Sequence, residues 1–458
     1  MDFTTEQANQ LLQTAKRLHF VGIGGSGMFP LVQIMHSRGY AISGSDVNEG
    51  SIIDSLRQMG ITVYMGHNAP QVEGADLVVY SAAISKENPE LVHAQELGIP
   101  TMERSVLLGY VSRLYPNSIC IAGTHGKTTA TSLITSLLEL AGKDPAAVIG
   151  GKLPLIGGYG KSGSGDTVVI ESCEFARTFL QLSPNIAVLL NVDNDHLDCY
   201  GTMEGLKAAF REFVSLARRA IVVNGDDPHS MDVVYGLSQP VLTFGIQQNC
   251  DVKAENVTEY KPGFFACDVY YLGEPFAHLE LAAPGYHNVY NALAMAACAI
   301  LCELSGEDAA AAAASFKGAG RRFEILGEYA GATIADDYAH HPTEVAATLS
   351  TATKMGYRKV WVVHQPFTFS RTRELLDEFA QVLALADEVV LTPIMGSREV
   401  DDGSVCSQDL ADKIPGAVVV DGLQQAADYI RANVQPGDLV LTMGCGDVYK
   451  AAGMILRP

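Results

Sequence analysis

The chain has 458 residues, of which 48% are hydrophobic, and a formal net charge of −21 at pH 7. This length predicts two or three domains with sizeable cores. The acidic excess argues against a nucleic-acid or anionic-membrane surface, because such binding requires clustered Lys and Arg. Nine cysteines without a Cys-x-x-Cys pair, and no secretory pattern in the first residues, predict a soluble protein of the reducing cytoplasm.

Short apolar runs alternate with helical patterns along almost the whole chain, which is typical of parallel sheets covered by helices. In the first block, which ends near residue 116, we predict strands at Leu18–Ile23, Ile61–Met65 and Asp76–Tyr80. A plausible linker, LYPNS, follows at 114–118.

The first strand leads into a glycine-rich loop with Gly22, Gly24 and Gly27 in G-x-G-x-x-G spacing, and Asp46 ends the next strand-like run. Glycines let the backbone approach a diphosphate, and the helix N-terminus favours the anion. The acid is available for a ribose hydroxyl. The loop therefore predicts a nucleotide-diphosphate site, with NAD as one candidate. The alternative is that the glycines only allow close packing of strand and helix.

A second loop, in SICIAGTHGKTT, gives the strongest signal in the chain. The apolar run Ile119–Ala122 opens into Gly123 and Gly126, and Lys127, Thr128 and a helical pattern follow. In this context backbone N–H groups bind phosphates, Lys neutralises them and a hydroxyl holds Mg²⁺. The spacing is shorter than in the usual eight-residue motif, so a glycine-rich turn with an exposed Lys stays open. The favoured prediction is ATP binding.

Acidic residues follow two later strands of the middle block. We predict strands there at Thr167–Ile170, Ile186–Asn191 and Ala220–Asn224, then a β-rich patch over Val252–Leu281 and a helix from His287. The first two strands are followed by Glu171, Glu174, Asp193, Asp195, His196 and Asp198. Hard oxygen ligands with a single His suit Mg²⁺ or Mn²⁺ better than Zn²⁺. Taken alone, the second group also fits a solvated acidic turn.

Two further segments fit the same site. Asn288 and Asn291, near a helix start, can hydrogen-bond an adenine edge, although a capping role is an equal alternative. The stretch Gly318–Glu324 resembles a hinge into the last block, where strands are predicted at Lys359–Val363, Glu388–Leu391, Ala417–Val420 and Asp438–Leu441. In IADDYAHHPTEV, Pro342 is predicted to begin a helix that His341 caps.

The ordered motifs HFVGIGGSGM, GTHGKTT, ESCE, DHLD, YHNVYNA, GAGRRFE, DDYAHHPTEV, QPFTFSR and TMGCGD resemble those of the Mur ligases, and they cover essentially the whole chain. The resemblance implies an α/β fold of three domains. These are an N-terminal Rossmann-like domain that binds UDP (1–117), a central P-loop ATPase-type parallel sheet (118–320) and a C-terminal Rossmann-like α/β domain that binds the amino acid and closes over the others (321–458).

The resemblance also implies a reaction. An ATP-dependent ligase would join L-alanine to the carboxylate of UDP-N-acetylmuramate through an acyl phosphate, with Mg²⁺, in cytoplasmic peptidoglycan synthesis. ATP is then a co-substrate, and neither nucleic acid nor a membrane is a partner. The oligomeric state stays open between a monomer and a homodimer.

Site residues follow from the resemblance by position. The implied catalytic residues are Lys127, Glu174, His196, Arg322, Asp337 and His340. The implied ATP-binding residues are Gly123, Thr124, His125, Gly126, Lys127, Thr128, Thr129, Asn288, Asn291 and Arg322. The implied UDP-sugar residues are Gly24, Gly25, Ser26, Gly27, Met28, Asp46, Ser81 and Arg371. The implied metal ligands are Thr128, Glu174 and His196.

The chain departs from the family after one strand of the last block. The family usually reads Phe-Gln-Pro-His, whereas this chain has His364-Gln365-Pro366-Phe367. We predict that His364 does not replace the missing His, because a Gln-Pro turn separates the two positions, and that acceptor binding is altered. The segment FARTF after Glu174 also lacks basic and His residues common in near relatives, which affects the fit of the sugar and the acceptor.

Three rival functions differ in what they leave unexplained. An NAD-dependent dehydrogenase accounts for the first glycine-rich loop and Asp46, but not for GTHGKTT, Glu174 or His196. A recycling ligase that adds a whole peptide is the near rival within the family. A nucleotide-dependent regulator without catalysis is motivated by the departures near Phe367 and Arg177.

Overall fold

The computed structural model describes residues 3–194, 197–397 and 399–457. The chain divides into two compact units. The first unit comprises Met1–Lys253, Tyr270–Phe276 and Leu293–Ala312, and the second comprises Ala254–Val269, Ala277–Ala292 and Ala313–Pro458. Within the described ranges, no helix combines the length and the apolar character needed to cross a membrane.

The first unit begins with a parallel sheet. Its strands are β1 (Arg17–Val21), β2 (Ala41–Asp46), β3 (Thr62–Met65), β4 (Leu77–Tyr80) and β5 (Thr101–Glu103). Its helices are α1 (Thr5–Thr14), α2 (Phe29–Ser37), α3 (Ser51–Gln58), α4 (Pro89–Glu96) and α5 (Arg104–Arg113). The strand order is β3-β2-β1-β4-β5. The order reverses next to β1, and ligands bind at such a switch point at the carboxyl ends of the strands.

A second sheet follows in the same unit. Its strands are β6 (Asn117–Ala122), β7 (Ala146–Leu153), β8 (Gly158–Lys161), β9 (Thr167–Glu171), β10 (Ile186–Leu189), β11 (Ala220–Asn224) and β12 (Val241–Gly245). Its helices are α6 (Lys127–Leu140), α7 (Leu197–Tyr200), α8 (Met203–Ser215) and α9 (Pro228–Val234). The order is β12-β11-β10-β6-β9-β7-β8, with only the β7–β8 pair antiparallel in this described set. β6 lies between β10 and β9 in this sheet, and its apolar run is fully buried, as expected for a strand covered on both faces.

The boundary between the units passes through a meander and a long helix. These elements are β13 (Val252–Lys261), β14 (Phe264–Tyr271), β15 (Glu274–Glu280), α10 (His287–Leu301) and α11 (Gly306–Ser315). The predicted β-rich patch and the helix from His287 are therefore confirmed. Alanine dominates the buried positions of α10, which allows close packing around the whole helix.

The second unit contains the last sheet. Its strands are β16 (Glu324–Tyr329), β17 (Ala332–Asp337), β18 (Val360–His364), β19 (Glu388–Leu391), β20 (Val418–Val419) and β21 (Leu439–Met443). Its helices are α12 (Pro342–Ala352), α13 (Phe369–Glu374), α14 (Leu376–Leu383), α15 (Ser407–Ala411), α16 (Leu423–Asn433) and α17 (Tyr449–Leu456). The order is β16-β17-β21-β18-β19-β20. Met443 is in register with both Asp337 and His364, so three motif-bearing strand ends meet at one edge.

Most predicted strands are confirmed, and Ala220–Asn224 and Glu388–Leu391 are confirmed at both ends. The strand predicted at Ile186–Asn191 ends earlier, because β10 stops at Leu189. The Asn191 side chain instead accepts a hydrogen bond from the His125 nitrogen in the loop after β6. The predicted parallel central sheet is confirmed, with one antiparallel pair, β7–β8, at its edge. A short connection joins β7 to β8, and short connections permit only antiparallel pairing. The same holds for β16 and β17 in the last sheet.

Candidate functional site

The loop between β6 and α6 requires both of its glycines. Gly123 and Gly126 have φ values of +141° and +83°, a region that favours glycine. A Cβ atom on Gly123 would also lie only 3.0 Å from the Leu190 Cβ and 3.1 Å from the Asn191 nitrogen. Lys127 is the first residue of α6, and no side chain caps that helix. First-turn N–H groups have no intrahelical acceptor, so this helix start suits an anion.

The Lys127 amine is held at the mouth of this loop. Its Nζ donates to the carbonyl oxygens of Gly123, at 2.6 Å, and Thr124, at 3.0 Å. It also lies 2.9 Å from the carboxylate of Glu174, whose side chain is only 1% exposed. Burial is the largest single effect and favours the neutral amine, but the charge and hydrogen bond of Glu174, together with the charges of Cys173 and Glu171, outweigh it and raise the pKa of Lys127 above its usual range. Lys127 is therefore a cation poised for phosphate.

The Thr128 hydroxyl is paired with a different acid. Its Oγ1 donates to Glu171 Oε1 at 2.9 Å, and Glu171 Oε2 accepts a bond from the Gly150 nitrogen at 2.6 Å. Glu171 ends β9, the neighbour of β6 in the sheet, which explains why the two side chains meet. Hydroxyl and carboxylate oxygens are donors that Mg²⁺ accepts. Of the predicted metal ligands, Thr128 thus lies with Glu171, Glu174 lies with Lys127, and His196 falls outside the described residues.

The segment after β10 is hydrogen-bonded to the loop between β6 and α6. Asn191 brackets His125, accepting from its nitrogen at 2.8 Å and donating to its carbonyl oxygen at 3.0 Å. Asp193 donates its own N–H to the Thr124 hydroxyl at 2.9 Å, and its carboxylate lies 2.9 Å from His125 Nε2. Sequence reasoning missed the role of Asn191. Its only signal was a polar side chain at the end of a buried strand beside the phosphate-loop strand.

The first glycine-rich loop is held by Asp46. The carboxylate accepts one bond from the Gly24 nitrogen at 2.8 Å and another from the Asn48 nitrogen at 3.0 Å. A Cβ atom on Gly24 would lie 2.8 Å from Ile53 Cδ1. Gly24 is therefore packed too closely for a side chain, which fits both the nucleotide-binding prediction and the packing alternative, and the Asp46 carboxylate bonds the backbone of the loop.

The other predicted residues of this loop lie around it. Gly25 and Ser26 are exposed, and Met28 is buried one residue before α2. Ser81 approaches from the end of β4, with its Cβ 3.9 Å from where a Cβ on Gly22 would stand. The structure adds one cation, since Arg104 Nη1 lies 3.4 Å from the Cβ position of Gly27. Arg104 belongs to no motif, so sequence reasoning missed it.

In the second unit, the two predicted asparagines bond to each other and to the turn before α10. Asn288 Nδ2 donates to the Pro284 oxygen at 2.7 Å, and Asn291 Nδ2 donates to Asn288 Oδ1 at 2.9 Å. In both bonds a side-chain amide nitrogen donates, whereas a helix cap accepts from a backbone N–H, so the adenine role and the capping role both stay predictions. The neighbouring His287 has a pKa lowered to about 4 by burial and then by the charge of Arg322. A cavity of about 320 Å³ adjoins them, lined by Phe265, Tyr286, His287, Tyr290, Thr351 and Lys354 among others.

Two predicted residues of the second unit lie near the Glu344 carboxylate, and a third, Asp337, is influenced by its charge. Arg322 Nη1 lies 4.0 Å from one of its carboxylate oxygens, and His340 Nδ1 lies 3.3 Å from the other. Asp337 accepts two backbone N–H bonds, at 2.8 and 2.9 Å. Burial raises the pKa of Asp337 to about 6, against the opposing effect of Arg322. The cluster thus combines a cation with an acid that titrates close to neutrality.

The remaining predicted residues of this unit have distinct positions. His341 caps α12 by accepting from the Thr343 nitrogen, and Pro342 begins that helix, which confirms both predictions. Arg371 lies on α13, where its charge opposes the effect of burial on the pKa of Cys445. The predicted UDP-sugar residues are therefore distributed over both units.

His364 and Phe367 do not occupy equivalent environments. His364 is buried at the end of β18, with its ring centre 5.5 Å from that of Phe379, and burial lowers its pKa to about 4. Phe367 is half-buried and pairs through its backbone with Met395. A neutral, enclosed imidazole at residue 364 thus has little in common with a histidine at residue 367.

Three family profiles match the chain in succession. They are described as Mur ligase family, catalytic domain (residues 17–115), Mur ligase middle domain (121–299) and Mur ligase, glutamate ligase domain (321–446). These matches follow the order of the three predicted domains, and the three-domain α/β fold is confirmed.

Similar proteins cover nearly the whole chain. The UDP-N-acetylmuramate–L-alanine ligase of Caldanaerobacter subterraneus is 41% identical over 97% of this chain and 98% of its own length. The ligase of the same name from Clostridium acetobutylicum is 39% identical, over 96% and 98%. The crystal structure of UDP-N-acetylmuramate-alanine ligase from Thermotoga maritima has a TM-score of 0.82 at 29% identity, covering 96% of this chain and 98% of that one.

Proposed function

The chain belongs to the Mur ligase family, and on that premise we propose that it joins L-alanine to the carboxylate of UDP-N-acetylmuramate with ATP. Relatives that carry this name along nearly their full length support the proposal. The observation in the molecule that supports it most is the phosphate loop, in which Lys127 is held as a cation beside Glu174 while Thr128 meets Glu171. A dehydrogenase would leave that whole constellation without a purpose.

The chemistry explains why a phosphate site is needed. An ionised carboxylate is a poor electrophile, so the muramyl carboxylate is first converted to an acyl phosphate by the γ-phosphoryl group of ATP, which releases ADP. The amine of L-alanine then attacks the acyl carbon, and the tetrahedral intermediate expels inorganic phosphate and leaves an amide. The protein contributes positioning and neutralisation of charge. In this proposal Lys127 binds the transferring phosphate from one side.

Mg²⁺ or Mn²⁺ fits the oxygen donors next to the phosphate loop. Bound there, such an ion neutralises phosphate charge and orients the transferring group. Thr128 and Glu171 are the described residues that already converge on one another. Glu174 stays a candidate ligand, because the arrival of phosphate would give Lys127 a new partner and free the carboxylate. His196 stays a prediction from the sequence.

The UDP-sugar site in this proposal is the first glycine-rich loop. Asp46 fixes the loop through the Gly24 nitrogen, and the loop leads into α2, whose start has no side-chain cap. Arg104 places a positive charge against Gly27, where a diphosphate would lie. The site thus supplies backbone N–H groups and one guanidinium to an anion, despite the acidic surface of the whole chain.

The second unit would act on the transferring phosphate and on the acceptor. Arg322 is the cation that would stabilise charge on the γ-phosphoryl group, and Asp337 and His340 are candidates to manage the proton of the incoming amine. Asn288 and Asn291 would meet adenine after exchanging their present bonds. Domain boundaries near residues 118 and 321 and a cytoplasmic role in peptidoglycan synthesis complete the proposal.

The test is a product assay. The purified chain is incubated with ATP, Mg²⁺ and UDP-N-acetylmuramate, with and without L-alanine, and both phosphate and product mass are followed. We expect phosphate release that depends on L-alanine and a UDP-sugar heavier by one alanyl residue. Lys143, just beyond the other end of α6, supplies the control, since K143M should stay active while K127M should not. Attachment of a peptide or another amino acid instead of alanine would refute the proposed specificity.

A further inference from the structure

Arg321, the residue before Arg322, is bound on several sides at once. Its Nε donates to Asp336 Oδ2 at 2.8 Å, and its Nη2 donates to the Gly444 oxygen at 2.7 Å. Its Nη1 reaches the Gly446 oxygen at 3.4 Å. Asp336 is only 1% exposed, so this ion pair lies at the edge of the core of the last sheet. The contacts join the segment before β16 to the ends of β17 and β21.

Two aromatic rings complete this environment. The Arg321 Cζ lies 4.7 Å from the ring centre of Tyr338 and 4.6 Å from that of Tyr449. Tyr338 also receives the neighbouring guanidinium, with the Arg322 Cζ 5.1 Å from its ring centre. The Tyr338 nitrogen donates to the Arg321 oxygen at 2.7 Å. Side chain and backbone of Arg321 together fix the ring on which Arg322 rests.

The backbone at this point is unusual for its residue types. Arg321 has φ +60° and Phe323 has φ +48°, a left-handed conformation that side chains other than glycine seldom adopt. Arg322 lies between these two residues, so the direction of its side chain depends on an unfavourable backbone conformation. Contacts with other segments have to stabilise that conformation. The Arg321 contacts supply that support.

We propose that Arg321 is a positioning residue of the ligase reaction, which sets the location of Arg322 by clamping Tyr338 and the ends of β17 and β21. The inference rests on the proposed function, because it assigns Arg321 an effect on turnover through Arg322. A planar guanidinium is required, since it must bond a carboxylate and two carbonyl oxygens while its faces contact rings.

The same sheet provides a matched control. Arg358 Nη2 donates to Asp438 Oδ2 at 2.8 Å, and Trp361 Nε1 donates to the same oxygen at 3.0 Å. Asp438 is fully buried and lies immediately before β21, whereas Gly444 lies immediately after it. An arginine–aspartate pair thus lies near each end of β21. Arg358–Asp438 lies at its start, and Arg321–Asp336 lies near its end, since Asp336 of β17 is in register with Thr442. Only the carboxyl end is where ligands bind in parallel sheets.

The experiment compares R321K with R358K. Lysine keeps a positive charge for the buried acid in each case but cannot replace the planar fork. For R321K we expect kcat to fall by at least about tenfold, with the KM for UDP-N-acetylmuramate changed by less than about twofold. For R358K we expect a lower melting temperature and an unaltered kcat. An R321K enzyme that only melts earlier, as R358K does, would overturn the inference.

Coupling to Arg322 separates positioning from general stability. If Arg321 acts through Arg322, the double variant R321K/R322K should lose little beyond R322K alone, whereas independent roles would multiply the two losses and overturn the inference. Should R321K fold poorly, Y449L removes one partly exposed ring without touching the ion pair, and we expect about a threefold loss of kcat. An unchanged kcat in Y449L would likewise count against the inference.

The two proposals fail in different ways. Wild-type chain without alanine-dependent phosphate release would overturn the proposed function, and the inference with it. Active wild-type chain together with full turnover in R321K would overturn the inference alone.

Discussion

Glu171, the last residue of β9, and Glu174, three residues later, should respond differently to the same isosteric substitution. Glu171 contacts the Thr128 hydroxyl at 2.9 Å, whereas Glu174 lies 2.9 Å from the Lys127 amine. Replacing either glutamate with glutamine removes one negative charge and changes the side-chain volume little. The two positions are three residues apart, so each variant is a control for the other. E171Q should therefore weaken the binding of Mg²⁺. E174Q should instead leave the buried Lys127 ammonium without its carboxylate partner.

The expected magnitudes follow from these contacts. Unit charges about 4 Å apart interact by about 4 kcal/mol at an effective dielectric constant of about 20. Glutamine retains an oxygen ligand, so we assign about half of that to E171Q, which corresponds to roughly a thirtyfold rise in the half-saturating Mg²⁺ concentration. Breaking the buried pair in E174Q should lower the free energy of unfolding by about 3 kcal/mol. ATP should recover much of that loss, because its phosphates supply the missing negative charge.

The assay is a Mg²⁺ titration of phosphate release at saturating ATP, with melting temperatures measured with and without ATP. We expect the Mg²⁺ dependence to move in E171Q and the ATP-induced rise in melting temperature to be larger in E174Q than in wild type. A Mg²⁺ dependence that moves in E174Q and stays unchanged in E171Q would refute the reasoning from the Thr128 contact and identify Glu174 as the ligand.

Three further predictions concern the phosphate, the proton and the acceptor. K127A should lose at least about 3 kcal/mol of transition-state stabilisation, on the order of a hundredfold in kcat, and a loss below about threefold would contradict the phosphate-loop assignment. Because the pKa of Asp337 is raised to about 6, kcat/KM should rise with pH through that value, and its contribution to stability should fall as pH rises from about 4 to about 6. A pH profile without that limb would exclude a role for ionised Asp337. F367H should change the KM for L-alanine while H364F, which alters a buried neutral ring, should mainly change stability, and unaltered kinetics in F367H would refute the acceptor hypothesis.

Local patterns predicted the conformation of the loop between β6 and α6, because what that conformation requires is local. Gly123 and Gly126 need positive φ, and Lys127 must begin a helix, so spacing along the chain carries the information. The cap formed by His341 and Pro342 is predictable for the same reason. Apolar runs likewise predicted the strands, because a strand buried on both faces has to be apolar throughout.

Contacts between distant segments were not predictable in the same way. The hydrogen bond between Thr128 and Glu171 depends on β6 and β9 being neighbours in the sheet. The sequence of neither segment predicts that strand order. Arg104 reaches the glycine-rich loop from the start of α5, far along the chain from Gly27. Arg321 gave no signal of its own, because its partners come from β17, the end of β21 and α17.

The most direct test of the account follows an oxygen atom. UDP-N-acetylmuramate labelled with ¹⁸O in its carboxylate is turned over with ATP, Mg²⁺ and L-alanine, and the released phosphate is examined by mass spectrometry. An acyl phosphate requires that one carboxylate oxygen leave with phosphate, so the account predicts labelled phosphate together with the alanyl amide. Unlabelled phosphate, or label retained entirely in the UDP-sugar, would contradict activation of the carboxylate by ATP.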